Sequence, residues 1–106
     1  MKEKRLFSFK VVEVKDTPNG KRYTVRIGRK SLALILTWHA LESFEDYGFK
    51  PESVLDCLIE PEEVVVGHGG RFIAHKRVLP DEYLLRVVYE RQGELVVIIT
   101  LYYCVG

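Results

Sequence analysis

Strict alternation of polar and hydrophobic residues predicts a strand over residues 22–27, with one apolar and one polar face. Residues 6–14 are rich in strand-forming side chains. The cluster at residues 16–20, which contains Asn-Gly, predicts the turn between these two segments. We therefore expect an N-terminal hairpin with a basic outer face. Residues 31–36 are apolar and fit either a third strand or the lead-in to a helix.

Apolar residues recur at helical spacing in the middle of the chain, and their flanking residues delimit two helices. Thr37 is the expected N-cap of the first helix, and Gly48 is a natural residue to end it. Pro51 suits the first turn of a second helix, which Pro61 would end. The apolar positions that predict the two helices are Trp38, Leu41, Phe44, Val54, Leu55, Leu58 and Ile59.

The last third of the chain is predicted to be β-structure. Residues 64–66 lead into Gly67-His68-Gly69-Gly70, a flexible turn or a lid over a groove. Strands are expected over residues 71–78, 83–90 and 94–104, and their short connections predict an antiparallel meander. The resulting fold class is α+β, in the order hairpin, two helices and meander.

Length and composition agree with one soluble domain covering residues 1–106. The chain holds 47% hydrophobic and 29% charged residues, and its apolar runs are too short to cross a membrane. Cys57 and Cys104 match no metal or redox spacing, and both have apolar neighbours, so we expect small buried thiols. Free thiols fit a reducing, cytoplasmic location. No cofactor is expected. One Asn and one Gln beside many charged residues is a bias typical of heat-adapted, thermophile proteins.

The net charge of +1 hides a strong asymmetry along the chain. Residues 1–30 carry ten basic and three acidic residues, whereas residues 31–63 carry one basic residue against eight acidic ones. A basic first third can attract phosphate. The alternative is that the basic hairpin pairs with the acidic helical segment inside the same fold.

Alternation along the meander strands groups a set of polar side chains on one sheet surface. Thr100 and Tyr102 are expected to share their face with Val96 and Ile98, and the helices would cover the opposite side. If the registers match, the surface carries Arg71, His75, Arg77, Arg86, Thr100 and Tyr102. Arginine can hold phosphate and stabilise a phosphorane-like transition state, and a histidine can exchange a proton with a 2′-hydroxyl.

A structural alternative exists for each of these polar groups. The arginines of the meander would be solvated and paired with Glu90, Glu94 and Asp81. His39 would lie on a helix flank with Ser43 and Tyr47. The three histidines have no close ligand spacing, so no metal site is expected.

Six segments, taken in order, resemble an uncharacterised-domain (DUF) family that is grouped with the RelE, ParE and BrnT toxins. They are residues 36–42 (LTWHALE), 51–55 (PESVL), 61–65 (PEEVV), 71–77 (RFIAHKR), 85–90 (LRVVYE) and 97–100 (VIIT). The resemblance covers residues 36–104. It implies a RelE-like fold, with two helices on a twisted antiparallel sheet, to which residues 1–30 add an extra N-terminal hairpin that supplies charge or covers a sheet edge.

The resemblance also implies cleavage of RNA, often ribosome-bound messenger, restrained by an antitoxin protein. BrnT-like chains have an active-site arginine at the position of Arg71. Their helix often reads His-x-x-x-Arg-x-x-x-Arg, and this chain has His39 followed by Ser43 and Tyr47.

Three functional hypotheses follow from these observations. The first is a metal-independent, toxin-type ribonuclease in which Arg71, His75 and Arg86 are catalytic. Its substrate-binding residues would be His39, Lys76, Arg77, Tyr102, Lys21, Arg22, Arg26 and Arg29. The second is a non-catalytic nucleic-acid-binding module that uses the basic hairpin. The third is a protein-interaction domain, for instance a homodimer formed through an exposed strand edge.

Overall fold

Seven strands form one mixed sheet, and two helices pack on one of its faces in this computed structural model. The structure describes residues 9–78 and 83–105. The elements are β1 (Phe9–Thr17), β2 (Gly20–Ile27), β3 (Lys30–Thr37), α1 (Trp38–Tyr47), α2 (Pro51–Ile59), β4 (Glu63–Val66), β5 (Phe72–Val78), β6 (Tyr83–Gln92) and β7 (Leu95–Val105). The predicted strand residues 6–8 and the predicted turn at residues 79–82 lie outside the described residues.

The strand order is β1-β2-β3-β7-β6-β5-β4, so the N-terminal hairpin and the C-terminal meander belong to one sheet. All neighbouring strands are antiparallel except β3 and β7, which pair in parallel. The expectation of a purely antiparallel sheet was therefore wrong. The reason is that residues 31–36 belong to a strand, β3. The two helices connect β3 to β4 at the far edge of the sheet, and the meander then leads back until β7 lies beside β3 in the same direction.

The helix boundaries follow from the capping residues that the sequence places there. The Thr37 hydroxyl accepts a hydrogen bond from the backbone N–H of Ala40 at 3.1 Å. Gly48 ends α1 in the left-handed conformation, with φ of 67°. Pro51 opens α2, which ends at Ile59, two residues before Pro61. The predicted helix limits are confirmed.

The core lies between the two helices and the sheet face that they cover. Ala40 of α1, Cys57 of α2 and Leu85 of β6 are fully buried there. The other core residues are Val25, Leu34, Leu36, Phe49, Val54, Leu55, Ala74, Val87, Tyr89, Val96, Ile98 and Leu101. The side chains of odd-numbered β2 and β6 residues and even-numbered β5 residues therefore point towards the helices.

A β-bulge at Ile99 changes the faces of β7. Val88 pairs with Thr100 and Tyr89 pairs with Ile98, which leaves Ile99 without a partner on β6. The Thr37 hydroxyl donates a hydrogen bond to the free carbonyl of Ile99 at 3.1 Å. The prediction that Thr100 shares a face with Ile98 was wrong, because one extra residue reverses the alternation after it.

The hairpin turn is tied to the start of α1. The two turn residues are Pro18 and Asn19, and Gly20 already belongs to β2. The Trp38 indole donates a hydrogen bond to the Pro18 carbonyl at 3.0 Å, and the Trp38 backbone N–H donates to the Asn19 carbonyl at 3.1 Å. A Cβ on Gly20 would collide with the backbone carbonyl of Leu36 on β3. This close approach fixes the hairpin against the rest of the sheet.

Neither helix in the described part of the chain is long and apolar enough to cross a bilayer.

Candidate nucleic-acid interface

The face of the sheet turned away from α1 and α2, which we call the helix-free face, carries seven of the eleven candidate site residues. Pairing of His75 with Arg86, and of Arg86 with Tyr102, puts these three side chains on that face. The seven residues are Arg22, Arg26, Arg71, His75, Arg77, Arg86 and Tyr102. The structure therefore brings the hairpin arginines and the meander cations onto one continuous surface.

Charge is separated between the two layers of the fold. Among the residues that the structure describes, the helix-free face has seven basic side chains against three acidic ones. The basic ones are Lys10, Lys15, Arg22, Arg26, Arg71, Arg77 and Arg86, and the acidic ones are Glu13, Glu63 and Glu90. The helix layer carries Glu42, Glu45, Asp46, Glu52, Asp56 and Glu60. A surface with one dominant sign attracts ligands of the opposite sign.

The ion pairs that the described part of the hairpin forms lie within the hairpin itself. Within residues 9–78 and 83–105, the hairpin ion pairs join Lys15 to Glu13 at 3.7 Å and Lys21 to Asp16 at 3.9 Å, both inside the hairpin. No ion pair between described residues links the hairpin to α1 or α2. Pairing of the basic hairpin with the acidic helices is thus not seen for residues 9–27, while three of the ten basic residues of the first third lie outside the described residues.

Four polar side chains form a row across β4, β5, β6 and β7. Glu63 pairs with His75, His75 with Arg86, and Arg86 with Tyr102. The His75 Nδ1 lies 3.9 Å from Glu63 Oε1. The Arg86 guanidinium carbon lies 5.6 Å from the centre of the Tyr102 ring, within the range of a cation–π contact. This row joins an imidazole and a guanidinium on neighbouring strands.

Two nitrogens in this row are buried and have no hydrogen-bond partner among the described residues. They are Nε2 of His75 and Nε of Arg86. Only 13% of the His75 side chain is exposed, whereas 67% of the side chain of its neighbour Glu63 is exposed. A proton donor for a bound substrate must reach the substrate within hydrogen-bond distance. In this conformation Nε2 of His75 is closed to an incoming phosphodiester.

Arg71 and Arg77 differ in the freedom of their guanidinium groups. Arg71 Nε donates to Glu90 Oε2 at 3.1 Å, so its charge is compensated, as the solvated-surface alternative expected. Arg77 is exposed, and its guanidinium has no ion pair with a described residue. Glu94 forms no ion pair with either arginine, and Asp81 lies outside the described residues. Arg77 is the freer of the two for an anionic ligand.

Four candidate site residues lie away from the helix-free face. Lys21 and Lys76 point to the helix side, where Lys76 Nζ lies 3.0 Å from Asp56 Oδ2 of α2. His39 is exposed on α1, on the other side of the sheet. Arg29 lies in the turn between β2 and β3. The structure therefore does not bring these residues together with His75 and Arg86.

Lys10 and Lys15 belong to the helix-free face although they were not among the candidate residues. Lys10 pairs with Arg26 and Lys15 with Arg22. Residues five positions apart lie on opposite faces of a regular strand, so Lys10 and Lys15 would be expected on different faces. The register shift at Val12 puts them on the same face. Nothing in the sequence marks this bulge, so alternation alone could not find the pair.

An apolar strip lies between the two basic halves of the helix-free face. Ala33 and Ile35 of β3 pair with Leu95 and Val97 of β7, and these four side chains share the face. The strip separates the arginines of β2 from Arg86 of β6 by three strand spacings, roughly 14 Å. The surface thus offers cations at its sides and apolar contact area in its centre.

The two cysteines lie on opposite faces of the sheet and are both free. Cys57 of α2 is fully buried between the helix and the sheet, as expected, and burial raises the pKa of its thiol to about 12. Cys104 is only partly buried on the helix-free face, where Arg86 Nη1 donates to its sulfur at 3.8 Å. The prediction of two buried thiols holds for Cys57 alone.

Among the residues that the structure describes, no group of three or more His, Cys, Asp or Glu side chains could hold a metal ion. Comparisons of the chain with protein-family models, with curated proteins and with solved structures find no match.

Proposed function

We propose that this protein binds RNA through the helix-free face of its sheet. The observation that carries the proposal is the gathering of seven basic side chains and Tyr102 on that face, with the acidic helices on the other side. Phosphate contacts supply most of the affinity of sequence-independent nucleic-acid binding. Arginine, which provides five of these seven cations, forms bidentate hydrogen bonds with phosphate oxygens.

The centre of the face favours a nucleic acid over a simple polyanion. Bases have apolar faces that can lie on the strip formed by Ala33, Ile35, Leu95 and Val97, and Tyr102 adds an aromatic ring that can stack. RNA is chosen over DNA because of the resemblance of residues 36–104 to the RelE, ParE and BrnT group. A RelE-like arrangement of the two helices and the meander is part of the same proposal.

Two matched double variants test which face binds. Arg22→Ala/Arg26→Ala removes two charges from the helix-free face. Lys21→Ala/Lys30→Ala removes two charges from the helix side of the neighbouring strands β2 and β3. Affinity for a fluorescein-labelled single-stranded RNA is measured by anisotropy across a range of salt concentrations.

The arginine variant is expected to flatten the plot of log affinity against log salt by about 1.4, since each lost contact removes about 0.7. The lysine variant keeps the parent slope. Equal losses in both variants would show that net charge, rather than this face, governs binding. Absence of binding by the parent protein at low salt would refute the proposal.

The second candidate is a metal-independent ribonuclease of toxin type, and the row Glu63–His75–Arg86–Tyr102 is the observation that favours it. An imidazole that exchanges protons beside a guanidinium that neutralises the transition state is a combination suited to phosphodiester cleavage. Cleavage requires His75 Nε2 to become accessible when RNA binds, because the nitrogen is buried in the free protein. Because toxin-type ribonucleases are restrained by an antitoxin protein, this activity implies such a partner.

Messenger length in a cell-free translation reaction tests the second candidate. The parent protein is compared with His75→Gln, and with His68→Gln as a matched control in the exposed loop before β5. Shortening of the messenger by the parent and by His68→Gln, but not by His75→Gln, would support cleavage at this row. An intact messenger with the parent protein would rule out the ribonuclease and leave RNA binding standing.

A further inference from the structure

An apolar cavity of about 130 Å³ lies on the opposite side of the sheet from the helix-free face. It is bordered by the hairpin, by β3 and by the two helices, and it is open to solvent on one side. Its lining residues are Phe9, Val11, Tyr23, Val25, Leu34, Leu36, Phe44, Pro51, Val54 and Leu55. The cavity exists because the hairpin extends the sheet beyond the area that α1 and α2 cover. A cavity of about 150 Å³ with such a lining can hold a benzene ring.

The one polar side chain in the lining is Tyr23, and the charges around it are acidic. Tyr23 lies between Val14 and Leu34 on the helix side of the hairpin, the same side as Asp16. Burial raises the pKa of the Tyr23 hydroxyl, and the carboxylates of Glu45 and Asp16 raise it further. Asp16 has Lys21 as an ion-pair partner at 3.9 Å, whereas Glu45 has none among the described residues.

We propose that this cavity binds a small aromatic amine, with the ring among the apolar side chains and the ammonium group at the rim near Tyr23 and Glu45. The ring takes the place of water against an almost wholly apolar wall, which favours binding. The ammonium group can donate to the Tyr23 hydroxyl and lies in the field of Glu45. A carboxylate of the same size would meet this field with the wrong sign.

The cavity is separate from the proposed RNA-binding surface. Its residues come from α1, from α2 and from the helix side of β1, β2 and β3, and none of them belongs to the helix-free face. The inference therefore does not depend on RNA binding, and either proposal can fail without the other.

Three probes of matched size distinguish the ligand classes: benzylamine, benzyl alcohol and benzoate. Methyl signals of Val25, Leu34 and Val54 are followed by ¹³C NMR during each titration. We expect saturable shifts with benzylamine, with a Kd of about 1–10 mM for a ligand of this size. Benzyl alcohol should bind more weakly and benzoate most weakly. Absence of saturable shifts with benzylamine would overturn the proposal, and benzoate binding as tight as benzylamine binding would overturn the ligand class.

Two variants separate the location of the site from its charge preference. Val54→Phe fills the cavity from α2 and should abolish binding, with a thermal melt to check that the protein is folded. Glu45→Gln leaves the lining intact and should weaken benzylamine about two- to fivefold, the range of an exposed charge pair. Glu60→Gln, at the far end of α2 from Pro51, is the matched control and should bind like the parent.

If Val54→Phe is unfolded, the comparison of Glu45→Gln with Glu60→Gln alone tests whether benzylamine binds at this rim. Equal affinity of both variants for benzylamine would then contradict an ammonium site at this rim.

Discussion

The buried thiol of Cys57 predicts a specific loss of stability at alkaline pH. Cys57 of α2 is fully buried against the sheet, and its Sγ lies 3.4 Å from the Ala74 carbonyl oxygen and 3.8 Å from the Leu85 carbonyl oxygen. Burial raises its pKa from 9.0 to about 12. The folded protein therefore keeps this proton between pH 9 and pH 12, while the unfolded chain releases it.

The sign and size of the effect follow from proton linkage. Because the unfolded state binds fewer protons in this range, the free energy of unfolding falls as pH rises, by about 1.4 kcal/mol per pH unit above pH 9. At pH 10.5 the loss due to Cys57 amounts to about 2 kcal/mol relative to pH 7.5.

Urea unfolding at a series of pH values between neutral and alkaline measures the effect. The control is Cys57→Ala, which lowers stability by a constant amount through the small cavity that it leaves. Other groups with a raised pKa, such as Tyr23, contribute equally to both proteins and cancel in the difference. The gap between parent and variant should narrow by about 2 kcal/mol from pH 7.5 to pH 10.5. A gap that stays constant with pH would refute the assignment of a buried, protonated thiol.

Two further substitutions test the contacts that hold the sheet together, and urea unfolding measures both. Gly20→Ala should destabilise the protein by more than about 2 kcal/mol, because the new Cβ meets the Leu36 carbonyl, whereas Gly28→Asn in an open left-handed turn should cost under about 1 kcal/mol. Thr37→Val should cost about 1.5–3 kcal/mol, because one hydroxyl both caps α1 and binds the Ile99 carbonyl; a cost below about 0.5 kcal/mol would contradict this double role.

The sequence predicts the local elements of this fold well, because their signals are local. Strict alternation over residues 22–27 and the capping residues Thr37 and Gly48 each act within a few positions. The structure confirms the strand and both helix ends. The ambiguity at residues 31–36 could not be resolved in this way, since a short apolar run fits a buried strand and a helix equally. Pairing with β2 on one side and with β7, about sixty residues later, on the other makes it a strand.

Bulges account for most of what the sequence could not predict about the candidate interface. The grouping of Arg71, His75 and Arg77 with Arg86 was correct, because β5 and β6 pair without a shift up to Val88. The extra residue at Ile99 reversed the expected neighbours of Thr100 on β7. A bulge depends on long-range register and tertiary hydrogen bonds, and its position cannot be predicted from residue type alone.

The sequence could not predict that His75 is buried, and it offered Glu90 as a partner of the meander arginines without selecting Arg71. Whether a polar side chain on a strand is free or covered depends on the length and direction of its neighbours across the sheet. Glu90 lies where it can neutralise Arg71, and His75, flanked by Glu63 and Arg86 on the neighbouring strands, is largely buried. These contacts favour RNA binding over catalysis as the first function to test.

The most direct test of the central claim observes the arginine side chains themselves. The Nε–Hε signals of the arginines are recorded by ¹H–¹⁵N NMR during titration with single-stranded RNA at low salt. The signals of Arg22, Arg26 and Arg77 on the helix-free face should shift, while that of Arg91, which points to the helix side, should not. A shift of Arg91 with no change at Arg22, Arg26 and Arg77 would contradict binding through the helix-free face.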